Sequence, residues 1–409
     1  VTPRAALIVA LVALAACAKA PPPEGPRPAR DSAPPPAPPP PAAPIAKPEP
    51  PPRPPLGSVS LTFVGDINLG TLTFPDGVPP SEGRGLLDAA RADLQADLVV
   101  GNFEGVLGDS GITYKCGAEG RRVPDPDTLP PKPAPARRSA KPARPSPPRA
   151  CYAFLTPIAL APRLVEAGFT HLNLANNHAN DFGSGGRATT ERILDSLGLR
   201  TYGPLGSIAV DTLRRGDSAT VVGLVGFTTY PHSYDLLDIA RSASVVDSVR
   251  ALVDLLVVTF HGGAEGARAL HVPEAAESLG SEPRGDLRAW TRAVIDAGAD
   301  AVVGHGPHVL RGIEYYEGKP IVYSLGNFLT YRGFNLAGPL GQTGVLRLEA
   351  GPDRRWRRVR FTPMSQVPGQ GPAPDSTGAV LELVRTLSRE DFGERAAQVR
   401  EDGEILPPE

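Results

Sequence analysis

The chain has 409 residues, with 42 Lys and Arg against 44 Asp and Glu, for a formal net charge of −2. A balance so near neutral lacks the basic footprint of a nucleic-acid binder, and no nucleic-acid partner is expected. Of its 49 prolines, 19 lie in residues 21–55 and 10 in residues 124–148. Such segments do not build a packed core, which leaves about 300 residues for one large α/β domain.

Residues 1–17 read as an export signal. Arg4 precedes the apolar run "AALIVALVALAA". Twelve helical residues span roughly 18 Å, well short of about 30 Å of hydrocarbon, so a signal core is expected rather than a membrane span. Leu14-Ala15-Ala16-Cys17 resembles the bacterial lipobox, in which the cysteine is lipidated; the alternative is an ordinary signal peptide with a chance cysteine. Acylation at Cys17 would make the protein an exported, membrane-anchored lipoprotein facing the periplasm or cell exterior. The Pro/Ala-rich residues 18–57 favour extended polyproline II and read as a disordered stalk or a plain linker.

Residues 58–370 carry the expected globular domain. Strands are expected at 60–65, 97–101, 171–175, 220–227, 255–260, 300–304 and 321–326, where Val, Ile, Leu and Phe cluster in short runs. Helices are expected near 84–95, 157–167, 186–197 and 284–297, the last three closed by Gly168, Gly198 and Gly298. The stretches "TGVLRLEA" and "RRVRFTPMS" alternate as antiparallel strands, and a helix near 377–400 forms a C-terminal tail over 371–409. Strand–helix alternation of this kind predicts an α/β fold. A Pro/Arg-rich insertion at about 117–150 interrupts the domain between Cys116 and Cys151. In an oxidising compartment these cysteines are expected to pair, stabilising the fold by about 3–4 kcal/mol. The basic insertion either contacts an anionic polymer or is simply solvated.

Nearly every expected strand ends in a small polar cluster. The sequence places Asp66 and Asn68, then Asn102 and Glu104, then Asn176, Asn177, His178 and Asp181, then His261, then His305 and His308, then Asn327 directly after successive apolar runs. Ligands of open α/β sheets bind at the carboxyl ends of strands. Acids, imidazoles and amide oxygens together make a ligand set for Zn, Mn, Fe or Mg. Asp66 and Glu104 would hold or bridge cations, with His178, His261, His305 and His308 completing one or two sites. Two such cations about 3.5–4 Å apart would polarise a phosphoryl oxygen and activate water. Taken singly, each residue has a plainer reading: Asp66 as a turn or cap, His261 as a loop histidine, Asn327 as a backbone partner.

The motifs "FVGDINLG", "VVGNFEG", "LANNHANDFG", "TFHGGAE" and "VVGHGPHVLRGIEYYEGKPIVYSLGNF" resemble the poly-γ-glutamate capsule-synthesis CapA family, within the calcineurin-like metallophosphoesterase superfamily. The resemblance implies a four-layer α/β/β/α sandwich with mixed sheets and a site for one or two divalent metal ions at strand ends. It implies Asp66 as the first metal-ligating aspartate, Glu104 as the bridging acid and Asn177 as a ligand. His178 would contact substrate or act as acid, with His261, His305 and His308 as later ligands. Asn68 stands where the superfamily carries the histidine of Asp-x-His, and Gly306 and Pro307 part His305 from His308. The implied function is capsule-polymer synthesis or processing by metal-assisted hydrolysis or transfer, with an anionic polymer and synthase or export subunits as partners. Two other readings stay open: a non-catalytic polymer-binding subunit with a degenerate metal site, and a general metallophosphodiesterase.

Overall fold

Side chains along the central strands alternate between two apolar surfaces, and that alternation sets the layering. Leu61, Phe63, Leu98 and Val100 point to the same buried layer as Val222, Leu224, Leu255, Val257, Ala301 and Val303. Their sequence neighbours point the other way. Val64, Ile67, Val99 and Phe103 meet Leu164, Ala167 and Leu194. Val225, Leu256, Val258, Phe260 and Val302 meet Val246, Trp290 and Val294. The computed structural model describes residues 57–115, 121–123 and 152–409.

Two mixed sheets therefore pack face to face, with helices on both outer faces. The first sheet runs in the order Gly371–Pro374, Trp356–Val367, Gln342–Ala350, Val59–Asn68, Leu98–Phe103, His171–Asn173, Arg200–Tyr202. Asn327–Thr330 joins it beside the end of Val59–Asn68. The second runs Tyr234–Asp235, Ser218–Thr228, Leu255–His261, Ala301–His305, Lys319–Val322, Ile313–Tyr316, with Ala209–Arg215 paired to Ser218–Thr228. Helices α1 (Pro162–Ala167) and α2 (Gly183–Ser196) cover the first sheet. Helices α3 (Ile239–Arg250) and α4 (Leu287–Asp296) cover the second. This is the four-layer α/β/β/α arrangement that the motifs imply. A fifth helix, α5 (Ala379–Phe392), inserts Val380, Leu381 and Val384 into the layer between the sheets.

The central strands of both sheets are parallel, so their carboxyl ends lie at one rim. Gly65 is required there: a Cβ on it would sit 1.9 Å from the carbonyl oxygen of Gly326. That close approach lets Asp66 N donate to Gly326 O at 2.9 Å and sets Asp66 opposite Asn327.

Several elements differ from expectation. The segment 84–95 forms no α-helix. Three-residue-per-turn stretches at Pro80–Gly83 and Asp88–Ala90 stand there instead, without capping side chains. Gly83 and Gly85 both take positive φ and interrupt helix initiation, while Leu86, Leu87, Ala90 and Leu94 are still buried. The run 321–326 breaks after Val322, because Gly326 turns the chain at φ 65° into the next strand. Helix α3 is absent from the expected elements; its Ser-rich sequence obscures the period, although Asp238 caps it by accepting from Arg241 N. Residues 371–409 are no separate tail: they add a strand to the first sheet and a helix to the core. The expected signal, the stalk up to residue 56, Cys17, and the Cys116–Cys151 pairing lie outside the described residues.

Candidate metal centre

Strand register builds the site. In the first sheet Asn327, Asp66, Asn102 and Asn173 stand opposite one another across four parallel strands. In the second, Thr228, His261 and His305 form the corresponding row. The two rows meet through Asn102, whose Nδ2 donates to Asp66 Oδ1 at 2.8 Å and lies 3.3 Å from His261 Nδ1. Asn102 Oδ1 accepts from Asn173 and Asn176, both at 3.1 Å.

Beyond the rows, two loops add Glu104 and His308. Asp66, Glu104 and His261 each offer a ligand atom within 4.8 Å of the others. Glu104 Oε1 lies 3.4 Å from His261 Nδ1, and its Oε2 lies 3.9 Å from His308 Nδ1. His308 Nδ1 sits 2.9 Å from Asp66 Oδ2 and 3.0 Å from Asn327 Oδ1. His305 Nδ1 is 3.4 Å from Asp66 Oδ1. The loop between the two histidines turns on Gly306 at φ 113°, where a Cβ would meet Gly262 O at 2.7 Å; His308 itself takes φ 59°.

The electrostatics suit a cation. Both Glu104 oxygens are buried and lack a hydrogen-bond partner among the described residues, as do His261 Nε2, His305 Nδ1 and Asn177 Oδ1. A bare buried carboxylate is costly, and a bound cation offsets that cost. Burial, then the charge of Asp66, pushes the Glu104 carboxyl well above its ordinary range. Burial acts on Asp66 too, but His305 and His308 outweigh it and hold that carboxyl below its usual value. Burial also lowers His261 well below an ordinary imidazole. For His308, burial is outweighed by Glu104 and Asp66, which push the imidazole up to about 10. The donor chemistry and the orphaned atoms fit one or two divalent ions.

A cleft of about 580 Å³ opens onto this centre, lined by Asn177, His178, His308 and Asn327 among others. His178 faces it with Nδ1 2.7 Å from Asp181 Oδ2, and burial lowers its pKa. Phe154 stacks between His178, at 4.3 Å, and Phe334, at 5.1 Å. Phe334 meets His308 edge-on at 5.4 Å, so aromatic rings shield both imidazoles.

The structure thus gathers Asp66, Glu104, His261, His305 and His308, with Asn177 and His178 on the same cleft. It gives three predicted residues supporting positions. Asn68 commits both side-chain atoms to backbone, Nδ2 to Glu104 O at 2.8 Å and Oδ1 to Gly70 N at 3.1 Å, and so holds the Glu104 loop. Asn176 donates to Phe103 O and accepts from His178 N. Asp181 anchors His178. Sequence reading passes over Lys115, Asn173, Glu265 and the two phenylalanines. Glu265 sits in the "TFHGGAE" motif, with Oε2 4.0 Å from His308 Nε2.

Residues 139–332 match the family described as bacterial capsule synthesis protein PGA_cap. The capsule biosynthesis protein CapA of Bacillus anthracis is 33% identical over 186 residues, 41% of this chain and 42% of that one. The PGA biosynthesis protein CapA of Bacillus subtilis (strain 168) is 32% identical over 188 residues, 42% of this chain and 45% of that one. The chain therefore spans less than half the length of these relatives. Among solved structures, the 5'-nucleotidase precursor of Thermus thermophilus is 15% identical with a TM-score of 0.38, covering 81% of this chain and 59% of that one. Asp66 and Glu104 precede the matched residues, and the fold brings them to the histidines within it. Over residues 139–332, just under half of its length, the chain is similar to bacterial capsule synthesis proteins of the CapA type.

Proposed function

We propose that this chain is a divalent-metal hydrolase or transferase acting on an anionic polymer such as poly-γ-glutamate during capsule synthesis. One observation carries the reading: Glu104 is wholly buried, unpartnered at both oxygens among the described residues, and beside Asp66 and His261. Asp66, Glu104, Asn177, His261, His305 and His308 would hold one or two ions of Mn, Zn, Fe or Mg. Such ions supply Lewis-acid polarisation and a lowered pKa for water. The chain's own residues orient the substrate and exclude solvent. His178 lines the cleft, placed to contact the substrate or to exchange a proton with it, and Phe154 and Phe334 pack beside it. The polymer assignment rests on the names of the Bacillus relatives. The signal-like sequence of residues 1–17, with its lipobox-like end at Cys17, supports the reading of an anchored lipoprotein outside the cytoplasm, working with synthase or export subunits in the membrane.

The test is metal analysis of the purified chain, with turnover of poly-γ-glutamate and of a generic aryl phosphodiester plus Mn²⁺. Stoichiometric metal, and loss of turnover in Asp66→Ala and His178→Ala, are expected. Absence of bound metal together with indifference to both substitutions overturns the enzyme reading. A second reading, a polymer-binding subunit without turnover, is favoured by Asn68, whose amide is committed to the Glu104 loop. Salt-sensitive polyglutamate binding with no hydrolysis would select it.

A further inference from the structure

We propose that Lys115 is a positioning residue for His178, an inference that rests on the catalytic reading of the cleft only for its kinetic test. Asp181 is the hub. Its side chain is 0% exposed, and an ionised carboxylate only accepts hydrogen bonds. Oδ1 takes the Lys115 ammonium at 2.6 Å. Oδ2 takes the Phe154 backbone N–H at 2.7 Å and faces His178 Nδ1 at 2.7 Å. Thr113 Oγ1 donates to the Asp181 carbonyl oxygen at 2.5 Å. Lys115 also donates to Asn177 O at 3.0 Å, and its Nζ stands 3.1 Å from His178 Nδ1.

These contacts assign the proton on the imidazole. An ammonium is donor-only, and Asp181 beside it is acceptor-only, so Nδ1 of His178 carries its hydrogen toward Asp181. Nε2 is then the lone-pair nitrogen offered to the cleft that His178 lines. Lys115 stabilises this arrangement twice, by pairing the buried Asp181 charge and by tying down the carbonyl preceding His178. Removing the ammonium leaves Asp181 Oδ2 still accepting from Nδ1 but frees Asp181 Oδ1 and the Asn177 carbonyl, so the ring keeps its tautomer and loses its fixed orientation. Thr113 and Lys115 reach Asp181 from one chain segment and Phe154 from another, 39 residues beyond Lys115. Neither belongs to the strand-end polar rows.

The test uses the full chain with ¹⁵N-labelled histidines, of which there are seven. Long-range ¹H–¹⁵N correlation reads the tautomer directly. Wild type is expected to show His178 protonated at Nδ1. Lys115→Met is expected to keep the Nδ1–H tautomer but to shift and broaden the His178 ring correlations as the ring loses its fixed orientation, and Lys115→Arg to restore the wild-type pattern. Asp181→Asn serves as the reference for full release. On a turned-over phosphodiester, Lys115→Met is expected to lower kcat roughly tenfold to a hundredfold with KM and metal content unchanged. A merely structural salt bridge would move Tm and leave the imidazole spectrum alone; that result overturns the proposal. Lys115→Gln provides a second neutral variant if Lys115→Met does not fold. If wild type turns over nothing, the enzyme reading fails while the imidazole spectrum still decides the role of Lys115.

Discussion

Glu104 and Glu314 are both completely buried glutamates, in opposite surroundings. Glu314 accepts from Arg292 Nη2 at 2.7 Å, Arg395 Nε at 2.9 Å and the Tyr323 hydroxyl at 2.8 Å. Glu104 accepts from nothing among the described residues. The histidines divide in the same way. His171 has Thr170 Oγ1 2.9 Å from Nδ1 and Asp211 Oδ2 2.9 Å from Nε2, whereas His261 Nε2 is buried without a partner. In both pairs the partnered group serves packing, and the bare one lies at the candidate metal centre.

The largest expected effect removes the bare acids. Asp66→Asn and Glu104→Gln should each weaken metal binding roughly 100-fold or more, read by metal analysis after dialysis. The metal-free Tm of Glu104→Gln should not fall, because burial and Asp66 already favour the uncharged carboxyl and a neutral amide of the same size replaces it. Next comes the satisfied glutamate. Glu314→Gln should cost about 2 kcal/mol in denaturant melts, because two arginines lose their charged acceptor, and should leave metal content intact. If the two variants exchange phenotypes, the contrast is broken.

A pH series sharpens it. His308 has a folded pKa of about 10, above its ordinary 6.5, so its stabilisation is full below pH 6.5 and lost as pH rises through about 10. Asp66 is depressed below 3.8, so its stabilisation is lost only in acid. Thermal melts in chelator should therefore decline from pH 6.5 to 10. Added metal, which competes with that proton, should raise Tm and flatten the decline, and His308→Gln should reduce it, leaving the part due to the raised Glu104 carboxyl. The smallest effect is expected from Asn68→Ala: about 1 kcal/mol of stability, with metal affinity reduced less than by either acid substitution.

Much of the site is legible in the sequence because parallel strands force it. A polar residue directly after each apolar run lands at one rim, so Asp66, Glu104, His261, His305 and His308 group together before any coordinates. Asn173 escapes notice because it lies inside an apolar run, and only register shows it beside Asn102. Lys115 follows a three-residue strand with no period to mark it, and its partner Asp181 is 66 residues away. Phe154 and Phe334 are ordinary core types whose stacking is purely tertiary. Asn68 groups with the ligands because residue type alone does not separate a cation donor from a loop clamp.

Asn102 has one further consequence. Its amide nitrogen touches a carboxylate of one sheet and an imidazole of the other, so a single side chain gauges the offset between the two halves of the sandwich. Any repacking of the intervening apolar layer that lets the halves slip would be felt first as a mismatch at this hinge pin. Enlarging or trimming Phe63 or Val257, both in that apolar layer and outside the candidate ligand set, thereby becomes a way to detune cation affinity without altering a single donor.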